Sequence, residues 1–334
     1  MEKIRYVIVG SGWRSEFYVR IAKALPEQFE AIAMLCRTEE KARSMHEKTG
    51  VYATVSREEC EKLKPDFVVV AVDKPSVFKV SRSFLDKGFP VLCETPAGQN
   101  IEELEDAWQL HCYGTRFQVA EQYHRYPQYE KILEIVKSGL LGDPHAVNLS
   151  VAHDYHGVSL IRRLLGTGFE NAFFTGKRYT FPVLETGDRN GPVEGGTVTD
   201  RYRVRMDIEF DSGKMGFYDF CNVQYHSRIR GTDIRVQGER GEIAGNRLTY
   251  MDRAGICHNE IITWENPYEK QGLTDDETAI AKLLTGMKHY VDTGEEVYPV
   301  AEALQDAYFA LCMEKALLHP YETIQSQTQM WGYQ

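Results

Sequence analysis

The sequence predicts an α/β chain, with an N-terminal parallel sheet wound with helices and a C-terminal α+β part whose sheet is mostly antiparallel. Three observations carry this reading. Short apolar runs alternate with helix-favouring stretches over the first third of the chain. One of those runs, "PDFVVVAV", is continuously apolar, the mark of a strand buried on both faces. Near residue 122 the character changes to alternating segments joined by glycine-containing turns. Strands separated by helices of this length imply βαβ units.

Taken in order, "RYVIVG" reads as the first strand, with a helix over about 15–25 behind its glycine. "FEAIAMLC" is the second run, followed by a polar helix over 39–48. After "PDFVVVAV" come a helix over 76–87, the strand "FPVLCE", another helix and the strand "RFQVAEQ". The helix before "RFQVAEQ" has Asn100 where an N-cap belongs and Glu103 three residues on, a capping-box pattern. Beyond Gln122, "QYEKILEIVKSG" is a helix closed by Gly139. "RYRVRMDIEFDSGKMGFYDFCNVQYH" and "DIRVQGERGEIAG" read as hairpins, and "GDRNGPVEGGT" (187–197) as a loop. "DETAIAKLLTGMKHYV" and "VAEALQDAYFALCMEKALL" return to helical spacing. The expected domains are therefore 1–122 and 123–334.

Composition narrows the function classes. The 334 residues are enough for two cores, and the net charge of −10 argues against the clustered basic surface that nucleic acids need. No apolar run approaches the roughly 18 residues of a membrane span. The first run is too short for a signal peptide. Seven cysteines, an odd number without CxxC spacing, fit reduced thiols in a cytoplasm better than a disulfide framework.

"VIVGSGWRS" carries the first chemistry. Gly10 and Gly12 close the first strand with a helix behind, and Ser11, Trp13 and Arg14 share the turn. Such a Gly-x-Gly turn lets the backbone approach a diphosphate that the helix N-terminus attracts, which makes the first domain a Rossmann dinucleotide-binding unit. Ser15 takes the third position, where a small residue still permits helix–sheet contact. A glycine-rich turn with no nucleotide is the competing reading of these residues alone. The carboxyl edge of the sheet adds Val72, Glu94 and Thr95. At "LCRTEEK", Cys36 stands where an NAD binder usually has an acid, with Arg37 beside it. An arginine accommodates a 2′-phosphate by charge-assisted hydrogen bonds, so the reading leans to NADP. NAD stays open through Glu39 or Glu40, and Arg37 as a solvated surface residue is the plain alternative.

With these pieces in hand the chain resembles the Gfo/Idh/MocA oxidoreductases, named for glucose-fructose oxidoreductase and inositol dehydrogenase. The glycine turn, "VLCETPAG", "EQYHRYP", "GLLGDPHAV", "HDYHGVSLIRRLLG", "FDSGKMGFYDF" and "YPVAEALQDAYFAL" fall in family order over essentially the whole length. The resemblance implies a C-terminal α/β domain whose open sheet mediates homodimers or homotetramers, with NADP or NAD as cofactor. It implies hydride transfer between nicotinamide and a hydroxyl or ketone of a sugar, cyclitol or related small molecule. Two alternatives come with it: a glycoside-cleaving enzyme using bound NAD for transient oxidation, and a non-catalytic nucleotide-binding regulator.

The family pattern at "VLCETPAG" is Glu-Lys-Pro, where the ammonium can hydrogen-bond a developing alkoxide. Here Glu94 and Pro96 match and Thr95 stands in the lysine position. Threonine keeps a hydroxyl but has no base that titrates near neutrality. Counting back from "RRLLG", His156 falls on the family's catalytic histidine in D-x-G-x-H. Ala152 and Asp154 replace the aspartate and glycine of that pattern, and Ser159 replaces an aspartate one turn later. The resemblance thus implies His156 as acid/base, and the neighbouring residues are read as its pocket, with Asp154 and Tyr123 shaping it and His124 lining the same cleft. Lys74 is read as a solvated loop lysine, and Cys36 and Cys93 as small core residues. His153 and His156 have no convincing further ligands near in sequence, so no metal is assigned.

Overall fold

In the computed structural model, which describes residues 3–333, the expected parallel sheet is present. Its strands are β1 (Ile4–Val9), β2 (Phe29–Leu35), β3 (Ala53–Thr54), β4 (Phe67–Val70), β5 (Val91–Cys93) and β6 (Phe117–Val119). The order β3-β2-β1-β4-β5-β6 puts β1 between β2 and β4, both parallel to it. Being paired on both edges and covered on both faces, β4 is apolar throughout, and β1 is buried from Tyr6 to Val9 with only Ile4 and Arg5 half-exposed at its start. The order reverses at β1, so the turn after it lies at the switch point where doubly wound sheets bind ligands.

The helices α1 (Trp13–Ala24), α2 (Glu39–Thr49), α3 (Arg57–Lys62), α4 (Lys74–Leu85) and α5 (Ile101–Cys112) connect these strands. The Asn100 cap is present: its side chain accepts from the Glu103 amide at 2.9 Å, while the Glu103 carboxylate accepts from the Gln99 amide at 2.7 Å. β3 and α3, two and six residues long, are too short to show a period and were not anticipated.

The remaining helices are α6 (Pro127–Lys137), α7 (Asp154–Leu165), α8 (Asp275–Thr293) and α9 (Val300–Leu318). The chain divides into two units, Met1–Pro127 with Glu265–Ala307, and Gln128–Trp264 with Tyr308–Gln334. The sequence draws one cut, at residue 122. α8 returns to the first unit because Ile280, Leu283, Leu284 and Met287 enter the same core as Tyr6, Tyr18 and Phe67.

The second unit holds β7 (Pro144–Ser150), β8 (Ala172–Asp188), β9 (Gly191–Phe210), β10 (Met215–Phe220), β11 (Asp233–Gly238), β12 (Gly241–Ala244), β13 (Arg247–Met251), β14 (Cys257–Ile261) and β15 (Ile324–Gln325). They form one sheet in the order β14-β13-β12-β11-β7-β10-β9-β8-β15. Among the described residues its one parallel pairing is β7 with β10. Along β9, Val204, Met206, Ile208 and Phe210 are buried, and alternate Arg205, Asp207 and Glu209 are exposed. Both expected hairpins are present, as β9–β10 and β11–β12.

The expected loop at 187–197 is not a loop. β8 and β9 stay paired almost to the tip, with Glu185 opposite Thr197 and Asp188 opposite Gly191, around a bulge between Glu185 and Gly187. Glycine and proline make the segment read as a turn, but strand pairing that begins at Ala172 carries through it. Asp188 Oδ1 accepts from the Asn190 amide at 2.6 Å and closes a two-residue turn. Gly196 tolerates the pairing because a Cβ there would stand 2.5 Å from the Glu185 carbonyl oxygen.

Candidate active site

The glycine turn is built for backbone approach. Gly10 has φ +133°, and a Cβ on it would stand 2.2 Å from the Ala71 carbonyl oxygen, so no other residue fits. Gly12 is the N-cap of α1, and a Cβ there would meet nothing within 4 Å. The caps of α2, α5 and α8 each accept from a backbone amide through their own side chain, whereas α1 has no side-chain cap. Position 12 thus offers neither a side chain to cap α1 nor one to fill the space before it, and this fits a diphosphate at the helix start. Ser15 is fully buried and its hydroxyl donates to the Ala71 carbonyl at 3.3 Å, holding α1 against the end of β4. Ser11 is half-buried, and Trp13 is exposed with its ring edge-on to Phe17 at 4.7 Å.

Behind the turn lies a charged knot. Arg14 donates through Nε to Glu94 Oε1 at 2.9 Å and through Nη1 to Asp276 Oδ2 at 2.9 Å; with the Gln122 amide turned so that its nitrogen donates to the Ala120 carbonyl, its oxygen accepts from Arg14 Nη2 at 2.7 Å. Tyr18 donates to the same Glu94 oxygen at 2.5 Å. Burial disfavours the charge on Arg14, but the carboxylates of Glu94 and Asp276 outweigh it and raise its pKa further above the ordinary arginine range. Burial, then the neighbouring Glu94, pushes the Tyr18 phenol well up, so it stays a hydrogen-bond donor. Thr95 follows Glu94 in a half-buried position, and its peptide bond to Pro96 is cis.

The other residues of the first unit fall at the sheet's carboxyl edge. Arg37 is exposed just past β2, and Val72 is half-buried just past β4. Lys74 is exposed and opens α4 instead of lying in a loop. Cys36 and Cys93 are buried, and burial pushes both thiols up, as in core residues. Tyr123 is buried in a short turn of helix, its amide donating to Glu121 Oε1 at 2.9 Å and its ring stacked on Tyr126 at 4.9 Å. The His124 ring lies 5.2 Å from that of Tyr298, whose hydroxyl donates to Asp306 at 2.6 Å.

In the second unit, phenols hold the start of α7. His153 is its N-cap, and its amide donates to Tyr225 Oη at 2.9 Å while Nδ1 lies 2.6 Å from the same oxygen. Asp154 has φ +31°, a conformation rare for a non-glycine residue, and its amide donates to Tyr218 Oη at 3.0 Å. Burial, then Asp154, pushes the Tyr218 phenol well up. Gly157 lets the helix approach, since a Cβ would stand 2.5 Å from the Tyr218 ring. A cavity of about 450 Å³ opens here, lined in part by His153, Asp154, Tyr225, Glu185, Arg201 and Tyr202. His156 is buried and meets the His153 ring edge-on at 4.9 Å. Ser159 is fully buried, and its hydroxyl has no hydrogen-bond partner among the described residues. No cluster of three potential metal-ligating side chains occurs among the described residues.

Residues 4–119 match the Gfo/Idh/MocA family model, described as an oxidoreductase family with an NAD-binding Rossmann fold. That match takes in the first sheet and its glycine turn. It is 26% identical over 157 residues to an uncharacterised oxidoreductase of Rhizobium meliloti, a match that spans 44% of this chain and 45% of that relative. Its fold is that of levoglucosan dehydrogenase, solved with NADH and L-sorbose: TM-score 0.76 at 14% identity, covering 98% of this chain and 100% of the other. An NAD-binding oxidoreductase from Klebsiella pneumoniae matches with TM-score 0.74 and 16% identity, again over 98% of this chain and 100% of the other. An Agrobacterium radiobacter oxidoreductase solved with NAD+, L-tartaric acid and magnesium gives 0.73 at 14% identity, over 97% and 98% of the two chains.

Residues 4–119 are thus an NAD-binding Rossmann unit, and no helix among the described residues is long and apolar enough to cross a membrane. Tyr218, Tyr225, Glu185 and Arg201 were not singled out from the sequence. They reach the start of α7 from positions over 25 residues away, and no local pattern announces them. Gln122 and Asp276 were missed for the same reason, although Asp276 sits in the acidic first turn of α8.

Proposed function

We propose that this protein moves a hydride between a nicotinamide coenzyme and a hydroxyl or ketone carbon of a sugar-, cyclitol- or polyol-like small molecule. The observation that carries the reading is the open, uncapped start of α1 behind Gly12, in a segment that matches an NAD-binding oxidoreductase family. Bound nicotinamide supplies the hydride acceptor or donor. The amides opening α1 hold the diphosphate. A ring nitrogen of His156 takes the hydroxyl proton as the carbonyl forms and returns it in the reverse direction. Asp154 and Tyr123 shape the pocket, and the Thr95 hydroxyl gives the reacting oxygen a hydrogen bond without exchanging a proton near neutrality. The polar lining of the cavity beside His153 supports a hydroxyl-rich substrate, as do the L-sorbose and L-tartaric acid held by two proteins of the same fold. Arg37 at the end of β2 supports NADP alongside NAD. The exposed apolar side chains of Tyr179 and Leu184 on β8 and of Val198 and Tyr202 on β9 support assembly into a homo-oligomer.

The test is a thermal-shift titration with NADH and NADPH, then a panel of sugars, polyols and cyclitols followed at the nicotinamide absorbance. A ligand of the native state raises the midpoint by mass action. Absence of any dinucleotide effect overturns the reading. Thr95 favours one rival, a nucleotide-binding regulator: tight coenzyme binding with no turnover, also after Thr95→Lys, selects it. Glycoside cleavage without net NADH formation selects transient oxidation instead.

A further inference from the structure

Arg14 stands between two motifs of the nucleotide unit, and the function proposed above gives it no task. Its side chain is only 16% exposed, and each of its three nitrogens has its own acceptor. Those acceptors lie on three different segments: Glu94 on the turn after β5, Asp276 in the first turn of α8, and Gln122 just past β6. The guanidinium also lies over the Phe17 ring at 4.8 Å. A guanidinium meets the three acceptors from three separate nitrogens in a fixed plane, whereas a lysine ammonium would have to serve them all from one atom on a flexible stem. Without it, two carboxylates, 12% and 23% exposed, would be left with no compensating guanidinium beside the glycine turn.

We propose that Arg14 is a positioning residue for hydride transfer: it locks the Glu94-Thr95-Pro96 turn to the glycine turn, so that the Thr95 hydroxyl keeps its register with bound coenzyme. This rests on the dinucleotide-dependent reading above. The departure at position 95 sharpens the need. With threonine there, Glu94 gains no cation from its own turn, and Arg14 supplies one from the other side of the crevice.

The experiment uses the full chain as wild type, R14K, R14M, E94Q and the double variant R14M/E94Q. Each is measured for melting temperature, NADH dissociation constant, emission of bound NADH, and kcat and KM on the best substrate. In R14K, kcat falls about tenfold or more while KM and the NADH dissociation constant stay within about threefold, the signature of misplacement. Emission of bound NADH moves toward that of free coenzyme in both Arg14 variants. R14M/E94Q loses no more kcat than R14M, because the two groups act as one unit. A lowered melting temperature with wild-type kcat and wild-type emission overturns the positioning role and leaves a purely structural one. If R14M does not fold, R14K carries the same comparison. If wild type binds coenzyme but turns nothing over, the emission change decides alone. A wild type that binds no dinucleotide overturns the functional reading, and this one with it.

Discussion

The two units fix their candidate site residues by opposite means. In the first, charge does it: Arg14, Glu94 and Asp276 form a half-buried ionic knot behind the glycine turn. In the second, neutral phenols do it: Tyr225 and Tyr218 receive the amides of His153 and Asp154 at the start of α7. An ionic knot is intolerant of losing one partner, because the group left behind is a desolvated charge. A neutral hydrogen bond fails more gently, and what it leaves behind is one unsatisfied amide. Loss of Arg14 should therefore be felt more sharply at the nucleotide end than loss of one phenol is at the α7 end.

The comparison breaks most sharply at His156. His156→Ala is expected to lower turnover by about 10²–10⁴-fold with NADH affinity unchanged, as general acid–base groups do. Steady-state kinetics beside a coenzyme titration checks this, and full turnover in the variant removes His156 from the mechanism. Next in size is Gly12→Val, which fills the open space before α1. NADH affinity should drop by at least about tenfold, or about 1.4 kcal/mol, with little change in unliganded melting temperature. Gly10→Ala should do the reverse and destabilise the fold itself, by more than about 1 kcal/mol, because its Cβ collides with the Ala71 carbonyl. If both glycine variants behave alike in calorimetry, the division between ligand space and packing space is wrong.

Smaller effects sharpen the contrast. Tyr218→Phe orphans the Asp154 amide and should cost about 1–3 kcal/mol in denaturant unfolding, without touching coenzyme affinity. Arg37→Ser should shift the NADP-to-NAD affinity ratio by a few-fold, about 1 kcal/mol, toward NAD. A ratio that does not move returns Arg37 to the solvated surface. At Glu277, burial raises the carboxyl pKa, but the Thr274 amide and Arg20 outweigh it and hold it below the ordinary value. A depressed folded pKa means that stability is full above the unfolded value of about 4.3 and is lost as the pH falls through the folded one. Melting temperature followed from about pH 6 downward should therefore show a component that Glu277→Gln abolishes.

What was legible in the sequence is what is local. The turn from β1 into α1 is written within a few residues, and so is the Asn100 cap, because each needs only its immediate neighbours. The charged partners of Arg14 lie 80 and 262 residues ahead, and no pattern of types or spacing links them. The same holds for Tyr225, 72 residues from His153. α8 shows which residues it hides but not which core receives them, so its return to the first unit could not be read. At 187–197 local composition pointed to a loop, and long-range pairing overruled it.

The three-way grip on Arg14 has a consequence for descent. Position 14 cannot drift alone, because its loss leaves two carboxylates without their shared cation, so a change there must be matched at 94 and 276. Substitutions there should travel together through the lineage, while exposed Arg37 varies on its own, and aligning sequenced relatives would show whether inheritance respects that bond.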